Sequence, residues 1–253
     1  MNIQWDADKY TKDFSFVHQF GNRVLDLLAL DSTMSVLDLG CGNGALTKQL
    51  SEMGVRAIGL DESGAFLQTA KQAYPDLEFI QADATEFALH EKVDAVFSNA
   101  VFHWIERTQQ PALLRCVYAA LKNNGQFVFE FGGHGNNKLI HAALNTAFSE
   151  RGLTYRMPFF FPTIGEYAAL LERAGFKVTY MTLFDRMTQL NGENGLADWL
   201  KMFVKKPFEG LAAEVREEII NQTVAILKKD LFHNGIWYAD YVRIRGKAFK
   251  ACA

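Results

Sequence analysis

Cysteine is scarce in this sequence, and long apolar runs are absent. The 253 residues include only Cys41, Cys116 and Cys252, which are widely spaced and form no CxxC pair. Neither a disulfide framework nor a zinc site is therefore expected, and no metal ligand is predicted. No apolar run reaches the ~18 residues of a membrane-spanning helix, and Met1 to Asp13 are too polar for a secretory signal. These absences predict a soluble protein of the reducing cytoplasm.

An excess of positive charge is also missing. The 26 lysines and arginines are outnumbered by 29 aspartates and glutamates, which gives a formal net charge of -3. Nucleic-acid-binding proteins usually carry a basic patch. In the basic stretch from Arg243 to Lys250, charges alternate with Ile244, Ala248 and Phe249, a pattern that predicts a half-exposed strand. We therefore expect a small-molecule acceptor and neither a nucleic-acid nor a membrane partner.

The first half of the chain alternates strand patterns with helix patterns. Such alternation predicts a parallel sheet with helices on both faces, and right-handed crossovers make that sheet doubly wound. The predicted strands are Ser35–Leu39, Val55–Leu60, Leu77–Ala82, Val93–Ser98 and Gln126–Phe131.

The second half is mostly helical and ends in a strand. Two further strands are predicted over Phe176–Phe184 and Trp237–Phe249. No low-complexity linker interrupts the chain, so residues 1–253 are expected to form one domain. Within it we predict an N-terminal helical cap over 1–30 and a helical insertion over 186–235 that lies over the sheet as a lid.

A glycine-rich turn follows the first strand and opens a helix. Gly40 and Gly42 allow a tight turn and a close approach of the backbone to a ligand. The helix that starts near Gly44 supplies free N–H groups and the positive end of its dipole. This turn lies at the carboxyl end of the strand, where open α/β sheets bind ligands. The sequence therefore predicts a site for a phosphate or a carboxylate.

Three acidic residues narrow the choice of ligand. The spacing from Gly40 to Ala45 also fits a dinucleotide fingerprint, so the glycines alone leave the ligand open. Asp38 lies inside the motif and suits a cationic amine. Asp61 ends the second strand and suits a ribose diol, and Asp83 ends the third strand, where it can accept a hydrogen bond from an adenine amine. S-adenosyl-L-methionine carries all three groups.

These residues resemble the class I S-adenosylmethionine-dependent methyltransferases. The resemblance implies a Rossmann-like sheet of seven strands with the last one antiparallel. It also implies that the glycine-rich turn holds the methionine end of the cofactor, Asp61 its ribose and Asp83 its adenine. The matching segments are Val36–Gly44, Gly59–Asp61, Gln81–Ala84, Asp94–Asn99 and Leu121–Gly125. The cofactor-binding residues expected on this basis are Asp38, Gly40, Cys41, Gly42, Asp61, Glu62, Asp83, Ala84 and Asn99.

The segment from Ser98 to Ile105 and the long insertion resemble, more narrowly, the trans-aconitate methyltransferase group of type 11 methyltransferases. The chain departs from that group at Phe102-His103, where a polar pair with few aromatics is more usual. Because Asn99 is followed by alanine and not by two prolines, the amino methyltransferases of adenine and cytosine are set aside. The remaining acceptor is a small organic molecule, with oxygen favoured and a carboxylic acid preferred by resemblance.

Two histidines are candidate catalytic bases. His103 follows the fourth strand by one helical turn, and His134 lies in a loop after the fifth. Methyl transfer is an in-line displacement, and a general base helps only if the acceptor is protonated. A carboxylate acceptor would need neither histidine.

Several alternatives remain open from the sequence. The chain could be a non-catalytic module that binds S-adenosylmethionine, or a nicotinamide-dependent oxidoreductase that holds a pyrophosphate at the glycines. The run Phe159–Phe161 could line an acceptor pocket or fill the core. Four arginines could converge on an anionic acceptor, namely Arg151, Arg156, Arg173 and Arg186.

Overall fold

The computed structural model describes residues 23–251, so most of the cap predicted over 1–30 lies outside the described residues. The strands follow the predicted order along the chain. They are β1 (Ser35–Leu39), β2 (Arg56–Asp61), β3 (Glu78–Gln81), β4 (Val93–Asn99), β5 (Leu121–Gly132), β6 (Phe176–Gln189), β7 (Phe232–His233) and β8 (Ile236–Lys250).

Helices connect these strands, and local sequence signals explain several of their ends. The Ser63 hydroxyl accepts a hydrogen bond from the Phe66 N–H and caps α2, as its sequence position predicts. Pro111 lies in the first turn of α3, where its missing N–H costs nothing. The helices are α1 (Ala45–Glu52), α2 (Gly64–Ala73), α3 (Gln110–Ala120), α4 (Lys138–Ser149), α5 (Ile164–Arg173), α6 (Gly195–Phe203) and α7 (Ala213–Leu231).

The sheet has the order β3-β2-β1-β4-β5-β8-β6. Strands β1 to β5 pair in parallel, whereas β8 is antiparallel to both β5 and β6. The predicted doubly wound sheet with an antiparallel last strand is therefore confirmed. The short β7 also pairs with β8 through a turn at Asn234-Gly235, where both residues have positive φ. This Asn-Gly hairpin signal did not enter the sequence prediction.

Strand β6 is longer than its sequence pattern indicates. It continues past Phe184 to Gln189, because β8 pairs with it as far as the register Gln189–Tyr238. Polar side chains from Asp185 onward hide this continuation from a hydrophobicity pattern. The helical part of the predicted insertion accordingly starts after residue 189, and it runs to the β7–β8 hairpin.

Two faces of the sheet are covered by separate apolar layers. Phe127, Phe129 and Phe131 of β5 point to the face that α3 and α5 cover, and Val128 points to the face covered by α1. The helices of the insertion, α6 and α7, pack with α4 into a further apolar cluster. No helix in residues 23–251 is long and apolar enough to cross a membrane.

The basic stretch of β8 is more buried than predicted. Arg243 and Lys250 are 6% and 7% exposed, so the expectation of a half-exposed strand is wrong for these side chains. The Lys250 ammonium donates hydrogen bonds to the carbonyls of Tyr118 and Leu121. The alternation of charged and apolar residues correctly predicted a strand. The charged groups of Arg243 and Lys250, however, lie against other protein groups and not in solvent.

Candidate active site

The glycine-rich turn adopts a conformation that other residues disfavour. Gly40, Gly42 and Gly44 have φ of 79°, 54° and 80°, in the region that favours glycine. A Cβ on Gly40 would lie 2.2 Å from Val101 Cγ2, and one on Gly44 would lie 2.8 Å from the Phe79 ring. A Cβ on Gly42 would meet no described atom within 4 Å. Gly42 thus borders open space, as expected for a turn that receives a ligand.

Asp61 joins the end of β2 to this turn. Its Oδ2 accepts a hydrogen bond from the Gly42 N–H at 2.9 Å, and its Oδ1 accepts one from the Ser63 N–H at 2.8 Å. Burial raises the pKa of Asp61, and these two donors oppose the rise. Each carboxylate oxygen can accept a second hydrogen bond. The Glu62 N–H is a third donor to this carboxylate, which leaves an acceptor site for a ligand group such as a ribose hydroxyl.

Asp83 lies one strand further along the same edge. The Ala82 N–H donates to the Asp61 carbonyl, which ties the end of β3 to the end of β2. Asp83 Oδ1 accepts hydrogen bonds from the N–H and the hydroxyl of Thr85, both at 2.7 Å. Burial alone would raise the pKa of Asp83, but these bonds lower it overall. Asp83 is thus held as a carboxylate, while its neighbour Ala84 is buried in the core.

Asp38 points into the protein, toward α1. It is 1% exposed, and its Oδ2 accepts a hydrogen bond from the Thr47 hydroxyl at 2.6 Å. Burial raises the pKa of Asp38 to about 7, with a smaller contribution from the charge of Asp61, although the Thr47 bond opposes this rise. Near neutral pH this carboxyl group is therefore poised between its two protonation states.

Three other predicted cofactor residues lie at this edge of the sheet. The Cys41 side chain is buried in an apolar cluster, and its N–H donates to the Leu60 carbonyl. The Glu62 carbonyl accepts a hydrogen bond from the Gln81 amide at 3.1 Å. Asn99 is the last residue of β4 and is buried.

Ala100 follows β4 in an unusual conformation. Its φ is 63°, and its N–H donates to the Glu130 carbonyl at 2.7 Å. A positive φ is strained for alanine, and such strain tends to cluster at functional sites. The side chain of Val101, the next residue, packs against Gly40. Ala100 therefore lies beside the glycine-rich turn.

A cavity of about 50 Å³ opens next to Ala100. Aromatic rings form most of its wall, and a few polar side chains reach into it, which is the usual composition of a small-molecule site. The aromatic residues are Trp104, Phe159, Phe161, Trp199, Phe203 and Tyr241, and the polar ones are His103, Asn136, Asn137 and Arg243.

The run Phe159–Phe161 is divided between the cavity and the core. Phe159 and Phe161 line the cavity and stack with ring centroids 5.3 Å apart. Phe160 points the other way, into the core, and the Arg107 guanidinium lies over its ring. The alternation of an extended segment accounts for this division.

The two candidate histidines lie in different places. His103 is buried in a 3-10 turn and lines the cavity, whereas His134 is exposed and borders a separate groove beside Lys138. His103 Nδ1 accepts a hydrogen bond from the Gly132 N–H at 3.3 Å, which leaves the proton of the neutral ring on Nε2. Burial, reinforced by the charge of Arg243, holds the pKa of His103 well below its usual value. His103 is thus a neutral hydrogen-bond donor.

A buried glutamate lies among three arginines next to the cavity. Glu130 of β5 is 1% exposed and forms ion pairs with Arg186 at 2.8 Å and Arg245 at 2.6 Å. Arg243 Nε lies 3.6 Å from it. Burial alone would raise the pKa of Glu130, but the charges of Arg243, Arg186 and Arg245 hold it below its usual value. The carboxylate is therefore fixed in its charged form.

The four arginines that could have converged on an anionic acceptor do not do so. Only Arg186 reaches the cluster around Glu130. Arg151 forms an ion pair with Glu218, Arg156 lines a different groove, and Arg173 is exposed.

Comparison with known proteins settles the family. Residues 36–125 match the family model described as a methyltransferase domain. An uncharacterized methyltransferase of Schizosaccharomyces pombe is 32% identical to this chain, and the alignment covers 97% of the chain and 98% of that protein. The chain belongs to the class I S-adenosylmethionine-dependent methyltransferases. Two alternatives, the nicotinamide-dependent oxidoreductase and the non-catalytic module, are thereby set aside.

Two further similarities describe this methyltransferase more closely. A trans-aconitate 2-methyltransferase of Azoarcus sp. is 40% identical over 44% of this chain and 46% of its own length. The crystal structure of a candidate methyltransferase from Bacillus halodurans superposes with a TM-score of 0.65 at 18% identity. That match covers 92% of this chain and all of the other, and it shows the shared fold.

S-adenosylmethionine is the cofactor of this methyltransferase. The residues present fit it, because no described residue fills the space in front of Gly42 and Asp61 retains an acceptor site for a further donor. Asp83 supplies a second carboxylate one strand away. When bound, the cofactor supplies an electrophilic methyl group on a sulfonium.

The raised pKa of Asp38 predicts a pH dependence of cofactor affinity. Although Asp38 points toward α1, it lies directly behind the glycine-rich turn, so the positive charge of a cofactor bound at the turn is expected to favour its carboxylate form and to release a proton near pH 7. We expect S-adenosylhomocysteine to bind more tightly at about pH 8 than at about pH 6. Calorimetry in buffers of different ionisation enthalpy measures both the affinity and the released proton.

The variant Asp38→Asn is the control for this prediction. It should bind S-adenosylhomocysteine more weakly, without the pH dependence. Since a raised pKa means that the wild-type fold loses stability as pH rises through about 7, Asp38→Asn should be the more stable protein at about pH 8. Equal wild-type affinity at both pH values, with no proton released, would contradict the role of Asp38.

Proposed function

We propose that this methyltransferase transfers a methyl group to an oxygen of a small organic acceptor bound in the cavity beside Ala100. The acceptor oxygen is a carboxylate or a hydroxyl. The observation that carries this proposal is the position of the cavity, which shares Ala100 with the edge of the sheet where the glycine-rich turn lies. Its aromatic walls have the composition of a small-molecule site, but at about 50 Å³ it is smaller than the ~300–1,000 Å³ of ligand pockets. The acceptor therefore enters only when the insertion that carries Trp199 and Phe203 moves away from the cavity.

The helical insertion supplies part of the cavity wall. Trp199 and Phe203 of α6 line the cavity, and the Trp199 indole N–H donates to the Tyr241 hydroxyl at 2.7 Å. We assign α6 and the insertion around it the role of a lid that excludes water from the reacting groups. Exclusion of water strengthens the electrostatic interactions inside such a site.

A carboxylate acceptor suits the polar groups of the cavity. It is already charged at neutral pH, so the chain needs to position it and need not remove a proton. His103 can donate from Nε2 to an oxygen of the acceptor and orient it. The similarity to a trans-aconitate 2-methyltransferase supports a carboxylic acid as the acceptor.

The test is methyl transfer from radiolabelled S-adenosylmethionine to a panel of small mono- and dicarboxylic acids, hydroxy acids and phenols. We expect transfer to an acid, giving a methyl ester that alkali cleaves. His103→Ala should lower kcat about 5- to 10-fold, the loss of one hydrogen bond, with unchanged affinity for S-adenosylhomocysteine. The pH profile of kcat should show no step near pH 6.5, because the pKa of His103 lies well below that value.

His134→Ala is the matched control for this experiment, since His134 is exposed and lies outside the cavity. It should leave kcat unchanged. Transfer only to nitrogen or carbon acceptors would contradict the proposed oxygen acceptor. A larger loss in His134→Ala than in His103→Ala would contradict the assignment of this cavity.

A further inference from the structure

Arg243 is the buried cation of the cavity wall. It lies in β8, it is 6% exposed, and its side chain lines the cavity with His103 and Asn137. Its Nε is buried without a hydrogen-bond partner in the part of the chain that the structure describes. A buried guanidinium is costly unless its donors are satisfied. A ligand that accepts a hydrogen bond from Nε would therefore satisfy Arg243.

Glu130 attracts Arg243 but forms only a long contact with it. The Arg186 guanidinium contacts both oxygens of the Glu130 carboxylate, at 2.8 and 3.0 Å. Arg245 Nε and Nη2 contact Oε2 at 2.7 and 2.6 Å. Arg243 Nε is left at 3.6 Å from Oε1, beyond the distance of a hydrogen bond. Glu130 Oε1 itself has no hydrogen-bond partner among the described residues, so the charge of Glu130 holds Arg243 in place without completing the Arg243 Nε.

Polar groups beside Arg243 complete an anion site. The Arg243 guanidinium carbon lies 5.4 Å from the centre of the Tyr241 ring. Because the Tyr241 oxygen accepts from the Trp199 indole, its own proton is available to a further acceptor. The planar fork of an arginine matches a carboxylate in two parallel hydrogen bonds. A carboxylate of the acceptor fits this corner of the cavity.

We propose that Arg243 binds a carboxylate of the acceptor other than the oxygen that is methylated, and so determines specificity for acids with a second oxygen nucleophile. This inference rests on the proposed function. A carboxylate paired with a guanidinium is a weakened nucleophile, so the paired group anchors the molecule. The free oxygen of the acceptor then attacks the methyl carbon with its lone pair. The new O–CH₃ bond forms as the C–S bond breaks, and the bonding pair stays on sulfur, which becomes a neutral thioether.

The first experiment measures binding without turnover. Wild type saturated with S-adenosylhomocysteine is titrated by calorimetry with succinate, glutarate and fumarate, and with the half-amide of each. We expect at least one diacid to bind, and its half-amide to bind about 10- to 100-fold more weakly, as for the loss of a charged hydrogen-bonding group. In Arg243→Gln the diacid should bind no better than the half-amide. If none of the diacids binds to wild type, the inference is overturned.

The second experiment separates anchoring from a structural effect. For an acid that the enzyme methylates, Arg243→Gln should raise KM about 10- to 100-fold with a smaller change in kcat, and Arg243→Lys should recover part of the loss. Arg245→Gln is the matched control. Arg245 also lies in β8 and also pairs with Glu130, so this substitution removes an equal charge, but Arg245 does not line the cavity. Its KM should stay within about twofold of wild type.

The outcomes distinguish this inference from the proposed function. Absence of methyl transfer to any oxygen acceptor would contradict the proposed function itself. Transfer with an unchanged KM in Arg243→Gln, or with equal changes in Arg243→Gln and Arg245→Gln, would overturn only the role of Arg243. Unchanged affinity of both variants for S-adenosylhomocysteine verifies that the fold and the cofactor site are intact.

Discussion

Gly42→Ala is expected to abolish cofactor binding and to leave the fold nearly intact, whereas Gly40→Ala is expected to destabilise the fold. Both positions have positive φ, which costs alanine on the order of 1 kcal/mol. They differ in what a methyl group would meet. At Gly42 it would enter the open space assigned to the cofactor, but at Gly40 it would lie 2.2 Å from Val101 Cγ2.

Thermal unfolding and titration with S-adenosylhomocysteine separate these two effects. Gly40→Ala should lose about 2–4 kcal/mol of stability from strain and overpacking. Adding Val101→Ala should recover part of that loss, because it removes the two nearest atoms. Gly42→Ala should keep a melting temperature close to that of wild type without bound ligand and show no stabilisation by the ligand. Normal ligand binding by Gly42→Ala would place the cofactor elsewhere.

Glu130→Gln is expected to cause a large loss of stability. It removes the negative charge that three buried or partly buried arginines share. Breaking a buried ion pair by removing one partner costs about 3–5 kcal/mol. Chemical denaturation at neutral pH measures this loss. Glu91→Gln is the control, since Glu91 pairs with Arg56 on the surface and should change stability little.

The loss in Glu130→Gln also has a defined pH dependence. The pKa of Glu130 is lower in the folded protein than its usual value. Its contribution is therefore fully present above the usual pKa of a glutamate and disappears as pH falls through the lowered pKa. The difference between wild type and Glu130→Gln should shrink in acid. A difference that is small at neutral pH, or that grows on acidification, would contradict the role given to Glu130.

The sequence was sufficient to predict the architecture and the part of the site that lies at the carboxyl ends of β1, β2 and β3. Strand and helix patterns are local, so the order of β1 to β5 followed from periodicity, and the motif around Gly40 to Gly44 placed the ligand at the end of β1. The acids Asp61 and Asp83 lie where strand ends meet, as the parallel arrangement predicts. Asp38 was expected to face a ligand, but its hydrogen bond to Thr47 points it toward α1.

The acceptor cavity could not be predicted in the same way. Its walls come from segments far apart in the chain, including Trp199 of the insertion, Asn137 after β5 and Arg243 of β8. No local pattern specifies the antiparallel register that sets Arg245 opposite Glu130 and brings Arg243 to the cavity. A lone glutamate in the apolar strand Phe127–Phe131 was the one available signal, because a charge there needs a buried partner.

Titration with S-adenosylhomocysteine, in parallel with NADH, tests most directly whether the cofactor binds at the glycine-rich turn through Asp61. The account predicts one site for S-adenosylhomocysteine on wild type and no binding of NADH. In Asp61→Ala, which removes the proposed acceptor of the ribose hydroxyls, the affinity should fall by about 100-fold or more, whereas the exposed Glu52→Ala should bind as wild type does. Undiminished binding to Asp61→Ala, or binding of NADH in place of S-adenosylhomocysteine, would contradict the account.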